Sequence, residues 1–371
     1  MSGKEDKASR FPAVGEDGAL SPDGRFYKEE IELALRNKGM PLEALRHDVT
    51  PASMHYLLVH FDVPAVDVQN WRLEINGALA NPLSLSLEEI KQRPAVTTAV
   101  TMECAGNGRA LLEPRPINQP WGLSAVSTAE WTGTPLAALL TEAGLKDEAV
   151  EIVFTGLDEG VQGDEVQFYR RSLTIEEAMR PEVLLAYEMN RETLPPPHGY
   201  PLRLIVPGWY GMASVKWLDR IEAVGEPFEG YQMVSSYRIS RSADEVGEPV
   251  TLLKVRALMA PPGIPDFLTR QRLVRSGPVV LQGRAWSGRA AIARVEVSVD
   301  GGQSWADADL ADRVSPFAWT AWSFTWDAEP GRHTLSVRAT DDAGNTQPVD
   351  PPWTYHGMAN NMVQRVDVLV E

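Results

Sequence analysis

Cysteine occurs once in this 371-residue chain, and the residues around it are of types that can do chemistry. Cys104 sits in Thr101-Met102-Glu103-Cys104-Ala105-Gly106-Asn107-Gly108-Arg109. One thiol cannot form an internal disulfide, so it serves packing, metal ligation or nucleophilic attack. Its neighbours favour the reactive uses. Gly106 and Gly108 allow backbone to come close to a bulky group, and Arg109 places a fixed positive charge in the same turn, which favours thiolate. A thiolate beside a guanidinium suits a soft metal ion or a nucleophilic role.

A second set of such residues follows. Val183-Leu184-Leu185-Ala186-Tyr187-Glu188-Met189-Asn190 leads to His198-Gly199-Tyr200-Pro201-Leu202-Arg203, then Pro207-Gly208-Trp209-Tyr210-Gly211 and Ser214-Val215-Lys216-Trp217. A phenol, an imidazole, a guanidinium and an ammonium thus fall close together. Phosphates and heterocycle edges call for such donors. Taken singly, His198 reads as a turn histidine, Arg203 and Lys216 as solvated charges, and Tyr187 as a core or rim tyrosine.

The elements that must position these residues are legible in outline. Val96-Thr97-Thr98-Ala99-Val100 is a β-branched run that empties into the cysteine turn. Trp71-Arg72-Leu73-Glu74-Ile75 alternates and meets Asn76-Gly77, a hairpin signal. Ser86-Leu87-Glu88-Glu89 is a capping box. Thr134-Pro135 opens a helix over Leu136–Ala143 that Gly144 ends, Glu151-Ile152-Val153-Phe154 is a strand, and Thr174-Ile175-Glu176-Glu177 caps another short helix. Strands and helices mix without a βα repeat, so the fold class is α+β and not a parallel nucleotide-binding sheet. Near residue 245 helical periodicity ends. Val279-Val280-Leu281-Gln282-Gly283, Val295-Glu296-Val297-Ser298-Val299 and Leu335-Ser336-Val337-Arg338-Ala339 read as short strands, the last two followed by Asp-Gly- and Asp-Asp-rich turns. That pattern predicts an immunoglobulin-like β-sandwich, with Trp305, Trp322 and Trp326 in its core. The expected organisation is an N-terminal arm over residues 1–45 with a helical patch at 26–36, a catalytic domain over 46–245 and a sandwich over 246–371.

Composition narrows the function. Apolar residues are 43% and charged residues 23%, ordinary globular values. A formal charge of −16 without a basic stripe argues against nucleic acid. No run of 18 apolar residues occurs, so no membrane helix is expected. Met1-Ser2-Gly3-Lys4-Glu5-Asp6-Lys7 lacks an apolar leader, which predicts a cytoplasmic protein, or a periplasmic one if a leader is missing from this sequence.

The Cys104 motif and the ordered set after it resemble the sulfite oxidase family of molybdopterin enzymes over roughly residues 50–371. The resemblance implies a mixed α+β molybdopterin-binding domain followed by a dimerisation domain, and hence a homodimer. It assigns Cys104 to molybdenum beside the dithiolene of the pterin. It gives Tyr56, His60, Asp158, His198, Arg203 and Ser214-Val215-Lys216 to the cofactor, and Arg109, Trp121, Tyr187 and Arg289 to the substrate pocket. The implied reaction oxidises sulfite to sulfate by oxygen-atom transfer. No His-Pro-Gly-Gly occurs, so no haem is expected, and electrons would leave to an external acceptor, cytochrome c-like or oxygen. One departure stands out. Animal and plant sulfite oxidases carry a pocket arginine where this chain has Leu58, which opens the substrate to a sulfane, a sulfoxide or nitrate. Two further readings are a hydrolase with Cys104 as nucleophile and His198 or His60 as base, and a cofactor-free binding protein.

Overall fold

In the computed structural model, residues 26–350 and 352–371 are described. The first 25 residues of the expected arm lie outside them. The rest of the arm is helix Lys28–Arg36 followed by the 3-10 turn Leu42–Arg46. Its Glu30, 1% exposed, takes both terminal nitrogens of Arg115. A buried pair of this kind seats the helix beside the loop that follows the cysteine.

Two sheets form the first half of the chain. One orders the strands Leu83–Leu85, Leu73–Gly77, Leu218–Val224, Glu151–Gln162 and Glu165–Thr174, antiparallel except where Leu73–Gly77 runs parallel to Leu218–Val224. The other is antiparallel and joins Val96–Glu103, Val126–Pro135, Leu184–Met189 and Glu192–Thr193, with Arg203–Ile205 on the far side of Leu184–Met189. The short helices fall where the caps predict. Ser86 and Glu89 close a reciprocal capping box on Leu87–Lys91, Gly144 ends Leu136–Ala143 at φ +70°, and Thr174 caps Ile175–Ala178. Asn76-Gly77 does not form the tight turn. The pair ends its strand, and residues 78–82 make the connection to Leu83–Leu85.

The second half is strands and loops alone among the described residues. A four-stranded sheet (Arg256–Met259, Gly277–Trp286, Thr320–Ala328, Asp309–Leu310) faces a six-stranded one that includes Ile292–Ser298, Gly331–Asp341 and Gln364–Val370. Between them lie the inward side chains of alternating strands, among them Leu281, Val295, Val297, Leu335, Val337, Val366 and Val368. Each such side chain, fully buried, contributes roughly 1.5–3 kcal/mol. Trp322 and Trp326 join this core as expected. Trp305 does not: it is half-buried under the Arg338 guanidinium, 4.3 Å from its ring, because its Nε1 bonds the Gly302 carbonyl in the preceding turn (3.1 Å).

The two halves are not independent. The main core of the first half also takes in Trp286, Trp319 and Met358 from the second. No helix among the described residues is long and apolar enough to cross a membrane.

Candidate active site

Strand Val96–Glu103 is exposed at its start and fully buried by its end. Its β-branched residues suit pairing with Val126–Pro135, and it stops where the glycines begin. The Cys104 N–H donates to the Ala125 carbonyl (2.9 Å), the Asn107 N–H donates to the Cys104 carbonyl (2.9 Å), and the Arg109 N–H donates to that of Gly106 (3.0 Å). Gly106 lets the Arg109 guanidinium fold over this turn, since a Cβ there would lie 2.6 Å from both of its terminal nitrogens and displace it. Burial pushes the Cys104 thiol up, while the Gly106 amide, Arg109 and the Trp121 indole pull it down. The sulfur therefore rests as a thiol and would release its proton on binding a metal.

Cys104 stands where two cavities meet. Cys104, Leu58, His60 and Tyr237 line both. The inner cleft continues between His55, Tyr56, Asp158, His198, Arg203, Ser214 and Lys216. Asp158 reaches it from a register shift between the paired strands Glu151–Gln162 and Glu165–Thr174, the kind of irregularity that re-aims a side chain. Burial raises its carboxyl to about 6 against the pull of Lys216. Lys216 is lowered to about 7 by burial and by Arg203, and its Nζ donates to the carbonyls of Leu58 (2.7 Å) and Pro197 (3.1 Å). Arg203 donates to the His198 carbonyl (2.9 Å) and the Ser214 carbonyl (3.2 Å) and lies 4.7 Å from the Trp131 ring. Burial, with the nearby cations, holds the imidazoles of His55, His60 and His198 neutral, at about 3, 3 and 2.

The polar groups of this cleft match the chemistry of the cofactor the sequence implies, and with a volume of only about 60 Å³ it would share that group with the adjoining cavity at Cys104. Nε2 of His55, Oδ1 of Asp158 and Nε of Arg203 are buried without a hydrogen-bond partner. Each orphan costs about 1–3 kcal/mol, so the cleft is built for a polar guest. Two buried cations match a phosphate, and the mixture of donors and acceptors matches a pterin edge. No three His, Cys, Asp or Glu side chains among the described residues cluster as a metal site. A metal on Cys104 would have to bring its other ligands with it, as a dithiolene does.

The outer cavity, about 710 Å³, is lined by Arg109, Trp121 and Gln119 on one side. Arg109 is 3% exposed. It donates to the carbonyls of His356 (2.9 Å) and Gln119 (3.0 Å) and to Sδ of Met358 (3.5 Å). The Trp121 indole N–H is buried beside the Cys104 sulfur, whose thiol it pulls down. Both act on the Cys104 thiol, which lines the same cavity.

The cysteine turn is seated from behind by the second half of the chain. Arg256, 1% exposed, donates to Oε1 of Glu103 (2.6 Å) and to the Asn360 carbonyl (2.7 Å). Nε1 of Trp286 donates to Oε2 of the same carboxylate (2.9 Å). Asn360 donates to the Gly108 carbonyl (2.7 Å), and the Ala359 N–H to that of Ala105 (2.7 Å).

Three of the residues assigned by resemblance stand elsewhere. Tyr187, on strand Leu184–Met189, borders neither cavity. Its side chain packs into the main core with the Lys91 ammonium 5.9 Å from its ring. Tyr237 takes the place beside Cys104, with its hydroxyl 2.6 Å from Nε2 of His60 and a backbone φ of +53°, strain typical of working sites. Arg289 also borders neither cavity, because it is bound through both terminal nitrogens to Glu177. Val215 is buried in the main core. Its N–H donates to the Ala213 carbonyl (3.1 Å) and its own carbonyl accepts from Leu204 (2.8 Å), so it has little left for a cofactor. Sequence reasoning missed His55, Tyr237, Glu103 and Arg256. His55 and Tyr237 are single residues without a flanking pattern, and the ion pair joins positions too far apart in sequence to be read as one.

A buried thiol at the mouth of a polar, cation-lined cleft suits a cofactor-dependent oxidoreductase. The comparisons agree. Residues 60–232 match the oxidoreductase molybdopterin binding domain and residues 250–371 the Mo-co oxidoreductase dimerisation domain. The chain is 35% identical to human mitochondrial sulfite oxidase (90% of this chain, 64% of that protein) and 34% identical to that of Rattus norvegicus (87% and 62%). It is 32% identical to an NADH nitrate reductase of Brassica napus (89% and 40%). The sulfane dehydrogenase SoxCD from Paracoccus pantotrophus superposes with a TM-score of 0.77 at 27% identity, covering 94% of this chain and 93% of that one. The chain belongs to the sulfite oxidase family of molybdenum enzymes. It spans less than two thirds of the length of the curated sulfite oxidases it matches.

Proposed function

We propose that the chain oxidises sulfur by oxygen-atom transfer, with sulfite as the simplest substrate and sulfate as product, and passes the electrons to an external acceptor. The observation that carries this reading is the position of Cys104, at the neck between a cleft fit for the pterin and a cavity holding Arg109 and Trp121. When bound, the molybdenum–pterin supplies the oxygen transfer and the two-electron change. The chain does the rest. Cys104 would give up its proton and hold the metal. Arg203 and Lys216 would hold the phosphate, and Asp158 and His198 the pterin. Arg109 still has one free N–H on each terminal nitrogen after its three internal bonds, and with Trp121 it orients an oxyanion at the neck. Tyr237, tied to neutral His60, offers a hydroxyl between the cavities. In this reading the immunoglobulin-like second domain makes the enzyme a homodimer.

The test is elemental analysis on protein from a host able to make the pterin, beside a Cys104→Ser control, followed by sulfite oxidation with ferricyanide. Near-stoichiometric molybdenum with altered metal spectra in the control is expected. Protein free of molybdenum under those conditions would sink the reading. Oxidation of sulfane sulfur is the second reading. Leu58 at the neck and the likeness to a sulfane dehydrogenase favour it.

A further inference from the structure

The outer cavity is much larger than sulfite requires. Its 710 Å³ falls within the roughly 300–1,000 Å³ of pockets that take organic ligands. Its charge is also unusual for a site that would hold a dianion. The lining carries the carboxylates of Glu29, Glu32 and Asp164 against the guanidiniums of Arg36 and Arg109. Arg36 is bound to Asp62 (2.9 Å) and the Phe61 carbonyl at the solvent edge, which leaves Arg109 as the buried cation facing Cys104. His60, held at about 3, adds no charge near neutral pH. The same lining includes the apolar side chains of Leu33, Leu58, Val59, Phe61 and Val161.

One buried cation matches one negative charge, and apolar lining matches a carbon substituent. We propose that the preferred substrate is an organic sulfinate, R–SO2−, oxidised to the sulfonate, R–SO3−. This rests on the oxygen-transfer reading above and narrows it to a substrate class. The sulfinate oxygens would take the two free N–H groups of Arg109 and the Trp121 indole N–H beside it in the lining, and R would lie against Leu58 and Val59. The sulfur lone pair forms the new S–O bond and no S–C bond breaks. Water supplies the oxygen and releases two protons, and two electrons pass one at a time to a one-electron acceptor such as ferricyanide.

The reaction and the binding are tested separately on molybdenum-loaded protein. With ferricyanide as acceptor, kcat/KM for benzenesulfinate is expected to exceed that for sulfite by about tenfold or more, the worth of burying an apolar group. Leu58→Arg is expected to reverse the order. Calorimetry with inert anions gives a readout without turnover: benzenesulfonate should bind about tenfold more tightly than sulfate. Sulfite turnover with inert sulfinates, or equal binding of the two inert anions, would overturn the inference and leave sulfur oxidation standing. Turnover of neither substrate by loaded protein would instead overturn the oxygen-transfer reading itself.

Discussion

The inner cleft and the outer cavity share Cys104, Leu58, His60 and Tyr237, yet they differ in how far their buried polar atoms are satisfied. The cleft keeps buried atoms unpartnered: Nε2 of His55, Oδ1 of Asp158, Nε of Arg203. The cavity ties down much of its charge, with Arg36 on Asp62 and three bonds from Arg109 to the chain. A site that holds its guest permanently can carry unsatisfied groups, because the guest completes them. A site that fills and empties with each turnover must be tolerably stable when empty. In the function proposed above, the difference fits one space for a resident group and the other for a visitor.

Arg203→Ala tests the resident side and should have the largest effect. Loss of a buried cation over the cleft is expected to lower molybdenum content about tenfold or more, in line with two charge-assisted bonds at about 1.5–3 kcal/mol each, read by elemental analysis. Retained molybdenum would break the distinction. On the visitor side, Arg109→Ala is expected to raise KM for an anionic substrate about 10- to 100-fold, by one such bond, with molybdenum still bound. Unchanged KM would remove Arg109 from the pocket.

The next effect is on the empty cleft alone. His55, His60 and His198 are held neutral in the fold, at about 3, 3 and 2, whereas in the unfolded chain they protonate near pH 6.5. Below that the unfolded state binds more protons, so stability falls as pH drops from about 6.5 towards 3. The slope is up to roughly 1.4 kcal/mol per pH unit for each imidazole. Asp158, raised to about 6, opposes this as a single group between about pH 6 and 4, so a net loss remains. Thermal melts of metal-free protein from pH 7 to 4 measure it, and a flat profile would show that the cleft is wetter than its burial implies. The smallest effects are expected at Arg289 and Tyr187, which border neither cavity. Arg289→Ala and Tyr187→Phe should change KM less than about twofold, and loss of the partly exposed Arg289–Glu177 pair should cost no more than about 1 kcal/mol. A tenfold rise in KM for either would return that residue to the pocket.

Much of the fold was legible because it is written locally. Ser86 with Glu89, Thr174 and Gly144 are caps whose partners lie within a turn, and the cysteine turn declares itself by its glycines. The site was legible only in part. Cys104, Tyr56, His60, Asp158, His198, Arg203, Ser214 and Lys216 do border the cleft, and their order along the chain carried that reading. Tyr187 was chosen because its neighbours match a motif, but on a strand the motif does not say which face a side chain takes. Tyr237, which follows the short helix Tyr231–Val234, has no periodic pattern to mark it. Arg289 is removed from the pocket by Glu177, a pairing between residues 112 positions apart that no local signal encodes.

Glu103 and Arg256 are also far apart in sequence, and their bond sets an order of events. A nascent chain that has made its first 245 residues has Cys104 but neither Arg256, Trp286 nor Asn360 to steady the turn that carries it. Glu103 then stands as a carboxylate facing an empty socket. The turn that carries the thiol is complete only with the C-terminal strands in place, and a charged bolt from the far half of the molecule holds it there.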